Sequence, residues 1–161
     1  MAVCVGAAWG EGNRGVATLG LVEDGREAET WEKWGDLGDE FITFGADSRV
    51  AMEGKHSLRV QVRLTPENNW WPSLGLELPG NLDTSRHNFL ELHVYVPPDA
   101  PALPEDLIQA ALFQGDKGLA SATLSKPTRG EWNRLLLGLR GGNSASEEAP
   151  RVKLAWRTPS T

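Results

Sequence analysis

Glu91, His93 and Tyr95 alternate along one stretch of the sequence, so an extended backbone projects all three side chains from the same side. A carboxylate, an imidazole and a phenol placed together suit acid/base chemistry or a metal ion. The ordinary alternative is the solvated outer face of a strand. The other histidines, His56 and His87, are spread too widely for the sequence to define a metal site.

Glu77 and Glu91 are a second candidate for chemistry. Many glycosidases place two carboxyl groups on either side of the scissile bond, and neighbouring strands would bring this pair together. The sequence contains no G-x-S-x-G, H-E-x-x-H or phosphate-loop motif. We therefore predict no catalytic residues, and a glycan-active enzyme on a β-scaffold is the most remote of three hypotheses.

Sugar binding is the better-supported chemistry. Proteins bind sugars with planar polar groups that hydrogen-bond hydroxyls in pairs, beside aromatic faces that cover C–H patches. If the three most regular strands share a sheet, their outward residues and the adjoining loop supply such groups. The predicted ligand-binding residues are Arg59, Gln61, Arg63, Glu77, Glu91, His93, Tyr95, Trp70 and Trp71. Pro72 restrains the Trp70–Trp71 loop, whose rings are expected either to contact ligand or to close the end of the core.

Composition narrows the class of protein. The 161 residues suffice for one domain, and 16 basic residues against 22 acidic ones give a net charge of −6. A chain of that sign lacks the cationic field that holds nucleic acid or anionic lipid. Cys4 is the single cysteine and excludes an internal disulfide. Residues 1–10 are too short for a membrane span, and residues 1–20 are expected to be a flexible or weakly structured terminus before one β-sandwich domain at 21–161.

Three runs alternate apolar and polar residues with a period of two: Ser57–Leu64, Ser73–Leu78 and Phe89–Val96. That period predicts strands with one buried face. Residues 107–124 contain two apolar runs around a glycine-flanked turn and predict a hairpin. We predict an all-β antiparallel sandwich of jelly-roll type, with Trp132 in its interior. The other predicted core residues are Leu58, Val60, Val62, Leu74, Leu76, Leu90, Leu92, Val94, Leu135 and Leu137.

The order of motifs resembles galactose-binding-like jelly rolls and carbohydrate-binding modules. Residues 53–60 are similar to their "G-K-x-S-L-x-V" strand, residues 82–95 to their "D-x-S" and "L-x-x-x-V-Y" succession, and residues 130–133 to their "G-x-W" strand start. The resemblance covers roughly residues 50–139. The chain departs from the pattern at its last strand, which lacks "D-x-V/I", and in its opening "F-E" motif.

The resemblance implies a secreted, non-catalytic module that binds a polysaccharide or oligosaccharide, as an accessory to a catalytic domain of a polysaccharide-degrading enzyme. It also implies a structural calcium ion near Glu23 or Glu32 and the backbone at Lys55. The alternative is a structural accessory β-sandwich of a larger secreted protein, with no ligand of its own.

Overall fold

The computed structural model of the chain describes residues 2–11, 15–17, 31–34, 42–52, 55–62, 72–78, 89–100, 106–138 and 148–156. Every element of regular secondary structure within these ranges is a β-strand. The strands are β1 (Ala2–Glu11), β2 (Gly15–Ala17), β3 (Trp31–Lys33), β4 (Ile42–Asp47), β5 (Ser57–Val62), β6 (Ser73–Glu77), β7 (Phe89–Tyr95), β8 (Asp106–Gln114), β9 (Lys117–Ser125), β10 (Trp132–Gly138) and β11 (Pro150–Trp156).

The strands form two antiparallel sheets. Sheet A has the order β10-β7-β1-β5-β4, with β2 paired to β1, and sheet B has the order β3-β6-β11-β8-β9. The predicted all-β antiparallel sandwich is therefore confirmed. No helix in the described ranges is long and apolar enough to span a membrane.

The core lies between the sheets and follows from the period-two pattern. Alternate residues of β5 and β7 point inward from sheet A and meet the inward residues of β6, β8 and β11. All the predicted aliphatic core residues are buried except Leu76, which is half-buried against the core. Trp31 and Trp156, left unassigned by the sequence, are also buried there.

Strand β1 lies in the centre of sheet A, where the sequence predicts a flexible or weakly structured terminus. Val5 pairs with Leu58 of β5 on one side and with Val94 of β7 on the other. The Gly- and Ala-rich sequence of β1 carries little alternation, so its place depends on backbone pairing with two strands that come much later in the chain.

The predicted hairpin at residues 107–124 is confirmed as β8 and β9. Gly115 and Asp116 form its turn, and Gly115 has a φ of +56°. Glycine adopts this left-handed conformation without the steric cost that a Cβ would add.

The three most regular strands do not share one sheet. β5 and β7 belong to sheet A, whereas β6 belongs to sheet B. Their outward residues therefore divide between the two opposite outer faces of the sandwich.

Candidate functional site

Trp34 lies on the outer face of sheet B, directly over Gly75. A Cβ on Gly75 would come within 2.6 Å of Trp34 Cε3, so the ring occupies the space that any other residue would fill. The main chain holds Trp34 in place as well. Its N–H donates to the carbonyl of Ser73 at 2.9 Å, and the Ser73 hydroxyl donates to the Trp34 carbonyl at 3.3 Å.

Side chains from β8 and β11 fix the ring further. The Phe113 centroid lies 6.1 Å from the Trp34 ring at an interplanar angle of 37°. The ammonium of Lys153 lies 5.4 Å from the Trp34 centroid, within the range of a cation–π contact. All three side chains are half-buried, so each keeps part of its surface in water.

Two depressions border Trp34 on this face. One of about 230 Å³ is lined by Glu32, Gly75 and Leu76, and another of about 560 Å³ by Asp116 and Glu148. Both are also lined by Trp34, Glu77 and Arg151, and we call this continuous surface the Trp34 groove. The larger depression lies within the roughly 300–1,000 Å³ typical of ligand pockets.

Charges in the Trp34 groove nearly balance. Arg151 Nη2 donates to Glu77 Oε2 at 2.9 Å, and both side chains are more than half exposed. The described charged side chains of the groove are four carboxylates (Glu32, Glu77, Asp116, Glu148) and three cations (Lys33, Arg151, Lys153). Such a surface attracts neither a polyanion nor a polycation strongly.

The outer face of sheet A carries a second aromatic pair. Tyr95 of β7 is the register partner of Trp132 of β10, and their ring centroids lie 5.6 Å apart at 56°. The prediction of Trp132 as interior is therefore wrong, because the half-buried ring lies on the outer side of the strand. The alternation of the strand could have shown this. Leu135 and Leu137 point inward, and Trp132 is an odd number of residues from both, so its side chain points outward.

An ordered polar network lies beside this pair. Arg134 Nη2 donates to Glu91 Oε2 at 2.7 Å, and Glu91 Oε1 lies 2.6 Å from His93 Nε2. The hydrogen bond from Arg134 is the main cause that lowers the pKa of Glu91, with His93 adding to it against the opposing effect of burial. Glu91 in turn raises the pKa of Arg134. Glu91 is thus held as a carboxylate in a fixed orientation.

Arg59 and Gln61 lie on the same outer face, in β5. The side chain of Arg59 is 35% exposed, and its Nε is 3.9 Å from Asp47 Oδ2, too far for a hydrogen bond. Asp47 is engaged instead by Arg49, which donates to it at 2.6, 2.9 and 3.0 Å. These hydrogen bonds lower the pKa of Asp47 to about 2. Among the described residues, Arg59 therefore has no hydrogen-bonded carboxylate partner of its own.

The predicted ligand residues thus divide between the two faces. Arg59, Gln61, Glu91, His93 and Tyr95 share the outer face of sheet A, whereas Glu77 lies in the Trp34 groove of sheet B. The prediction that the three most regular strands share one sheet is wrong for β6. The alternation of apolar and polar residues shows which residues of a strand are buried, but it does not show which of the two sheets the strand joins. Trp34, Lys153 and Arg134 were not predicted as site residues.

The hypothesis that Glu77 and Glu91 act as a glycosidase pair is also wrong. They point outward from opposite sheets that pack about 10 Å apart, and each is engaged by an arginine of its own sheet. Arg63, Trp70 and Trp71 lie outside the described residues.

The predicted calcium ligands are not assembled in the part of the chain that the structure describes. Glu32 is exposed on the outer face of sheet B, opposite Gly75, whereas Lys55 precedes β5 of sheet A. Glu23 lies outside the described ranges. Among the described side chains, no group of three or more His, Cys, Asp or Glu is placed to hold a metal ion.

No protein-family model and no curated protein matches the chain. The chain is similar in fold to a solved structure described as giving the structural basis for the promiscuous specificity of carbohydrate-binding modules from the β-sandwich superfamily. The two are 12% identical with a TM-score of 0.55, and the match covers 91% of this chain and 62% of that one. This chain thus spans less than two thirds of the neighbour's length, and the likeness is one of fold: the all-β sandwich.

Proposed function

We propose that the protein is a non-catalytic carbohydrate-binding module that holds a neutral polysaccharide in the Trp34 groove. The observation that carries the proposal is the Trp34 ring, held over Gly75 by both its backbone and its neighbours. A rigid aromatic ring loses little conformational entropy when a ligand binds, so it makes an efficient platform for the C–H face of a sugar. Glu77 and Arg151 beside it offer planar groups to sugar hydroxyls.

The charges of the groove support an uncharged ligand. Carboxylates and cations there nearly cancel, and the whole chain carries a net charge of −6, which repels polyanions. The groove also supports binding over catalysis. Glu77 is paired with Arg151 and is 59% exposed, whereas a general acid is normally buried so that its pKa rises.

The predicted aromatic loop remains part of the proposal. Trp70 and Trp71 immediately precede Pro72, whose carbonyl accepts a hydrogen bond from the N–H of Trp156 at 2.9 Å. Pro72 leads directly into β6, the strand that carries Gly75 and Glu77. Because this loop leads into the strand of the groove, we propose that Trp70 and Trp71 contact the same polysaccharide. A secreted protein with this module beside a catalytic domain is the setting that we propose.

Affinity electrophoresis in gels that contain soluble neutral polysaccharides tests this function. The panel comprises a β-glucan, a xylan, a galactomannan and hydroxyethylcellulose. We expect retention of the wild-type protein by at least one of them. Trp34→Ala should weaken the affinity for that polysaccharide by about 2 kcal/mol, or roughly thirtyfold, if the ring is a hot spot.

Gly75→Ala provides a second variant that leaves Trp34 present but displaces its ring, and it should weaken retention as well. Gly45→Ala is the matched control, since no atom lies within 4 Å of a Cβ added there. Retention that is equal in all of these proteins would contradict the groove. No retention on the whole panel would favour the alternative of a structural accessory sandwich.

A further inference from the structure

The outer face of sheet A has features that a purely solvated strand face does not need. Tyr95 and Trp132 lie together on it, and Leu136 of the same strand is 43% exposed. Both rings are half-buried, so each leaves part of its apolar surface in water beside the other, and clustered apolar surface of this kind marks contact sites. Trp and Tyr are also the side chains most enriched where a surface contacts a ligand or partner.

Polar groups on this face are already oriented. Glu91 is held between Arg134 and His93 at 2.7 and 2.6 Å, and its exposed fraction is only 17%. A carboxylate held in this way presents its remaining lone pairs in a fixed direction, so a hydroxyl ligand need not order it. The same row of the sheet extends from Trp132 through Tyr95 and the Cys4 register position to Arg59.

Strand β1, which lies between β5 and β7, places small residues beside these polar and aromatic groups. In β1, Cys4, Gly6 and Ala8 pair with Tyr95, His93 and Glu91. These three outward positions of β1 therefore hold small residue types next to the aromatic, imidazole and carboxylate groups of β7, and Cys4 also pairs with Arg59 of β5.

We propose that the outer face of sheet A is a second glycan-contacting surface, so that one copy of the domain bridges two polysaccharide chains. The proposal rests on the proposed function for the class of ligand, a neutral polysaccharide. Tyr95 and Trp132 would contact the C–H face of a sugar, while Glu91, Arg134 and Arg59 would bond its hydroxyls. Glu91 pairs with Arg134, and Asp47 pairs with Arg49 and lies 3.9 Å from Arg59, so opposite charges largely offset one another, which again favours an uncharged chain.

Because the two faces point in opposite directions, a second binding surface would let one domain hold two polysaccharide chains. They lie on opposite sides of two sheets packed about 10 Å apart. One stretch of polysaccharide that lies in the Trp34 groove cannot also lie along sheet A without wrapping around the domain. Two surfaces of modest affinity then gain avidity whenever neighbouring chains are close together.

The test measures binding and bridging separately for each face. Retention is measured in gels that contain the polysaccharide found for the wild type, and bridging is the light scattering of a dilute solution of the same polysaccharide as protein is added. We expect scattering to rise and then fall when protein is in excess, because each chain is then saturated separately. Light scattering on a sizing column shows whether the unliganded protein is a monomer.

Trp34→Ala and Trp132→Ala should each keep weakened retention but lose bridging, and the double variant should lose both. Tyr95→Ala is a second variant for sheet A in case Trp132→Ala fails to fold, and Trp132→Phe should keep most bridging because it keeps a ring. Met52→Ala removes an exposed apolar side chain from the turn after β4 and is the control.

The inference fails, with the proposed function intact, if Trp132→Ala and Tyr95→Ala bind and scatter like the wild type while Trp34→Ala loses retention. It also fails if the wild type is retained but produces no scattering, or if it is a dimer whose bridging survives both sheet A variants. Loss of retention in Trp132→Ala alone, with Trp34→Ala unaffected, overturns the groove and leaves sheet A as the single surface. No retention of the wild type by any polysaccharide of the panel overturns both proposals.

Discussion

The contact between Trp34 and Gly75 is the tightest constraint on the proposed groove. Gly75 points outward in the middle of β6, yet it is buried because the indole covers it. The glycine is required by this close approach of a side chain and not by its backbone angles. A residue with a Cβ would lift the ring and with it the platform.

We therefore expect Gly75→Ala to lower the free energy of unfolding by about 1–3 kcal/mol, the usual cost of overpacking. In a Trp34→Ala background the same change should cost nothing or be slightly stabilising, because the clash is gone. Urea unfolding of the four proteins in this cycle measures the coupling. Gly45→Ala, with open space around its added Cβ, should be neutral or stabilising by about 0.5–1 kcal/mol. An equal cost of Gly75→Ala in both backgrounds would contradict the contact.

Asp47 predicts the acid dependence of stability. Its pKa falls from 3.8 to about 2 on folding, mainly through hydrogen bonds from Arg49. The folded state thus binds the proton more weakly than the unfolded state, so this contribution is complete above about pH 4 and is lost as pH falls towards 2. It amounts to at most about 2 kcal/mol, and exposure of Arg49 reduces it.

Asp47→Asn should remove that contribution at neutral pH, and the difference in stability from the wild type should shrink between pH 4 and pH 2. Urea unfolding at a series of pH values measures it. The lowered pKa of Glu91 acts in the same direction in both proteins and cancels in the difference. Asp116→Asn, in the exposed hairpin turn, is the control. A difference that stays constant with pH would show that Asp47 acts by packing alone.

At the scale of the strand, β10 shows how alternation separates structure from surface. Leu137 is fully buried, whereas its neighbour Leu136 is 43% exposed on the outer face of sheet A. Leu137→Ala should lower the free energy of unfolding by about 2–5 kcal/mol. Leu136→Ala should change it by no more than about 0.5 kcal/mol. Thermal or urea unfolding compares the two, and similar costs would mean that the strand is turned over.

The period of two predicted the sandwich because each strand of that kind needs only its own residues to show a buried face. The same pattern did not predict which sheet a strand joins, because that depends on pairing with strands far along the chain. β6 and β7 have the same pattern, yet they join different sheets, which moved Glu77 away from Glu91. Trp34 was missed for the same reason, since only the pairing of β3 with β6 brings it over Gly75.

At the scale of the whole molecule, a structural calcium ion remains a prediction. Hard oxygen ligands would be needed, and Glu32 is the one predicted carboxylate in the described ranges. An ion that binds only the folded state would raise the melting temperature as its concentration rises. Melting with calcium and then with a chelator measures this, with Glu23→Gln and Glu32→Gln as the variants, of which the one that removes a ligand should lose the response. An unchanged melting temperature would contradict the prediction of a structural calcium ion.

The central place of β1 has a consequence for the order of assembly. Residues 2–11 are made before β5 and β7, with which they pair, and the last of those partners is residue 95. Sheet A therefore cannot close until residue 95 has been made, and a chain without β1 would present two unpaired strand edges across one gap. We expect a synthetic peptide of residues 2–11 to fill that gap in a chain that begins at residue 12 and to restore its cooperative melting. A shuffled peptide of the same composition should not, and if the shortened chain melted cooperatively on its own, β1 would be dispensable to the sheet that it divides.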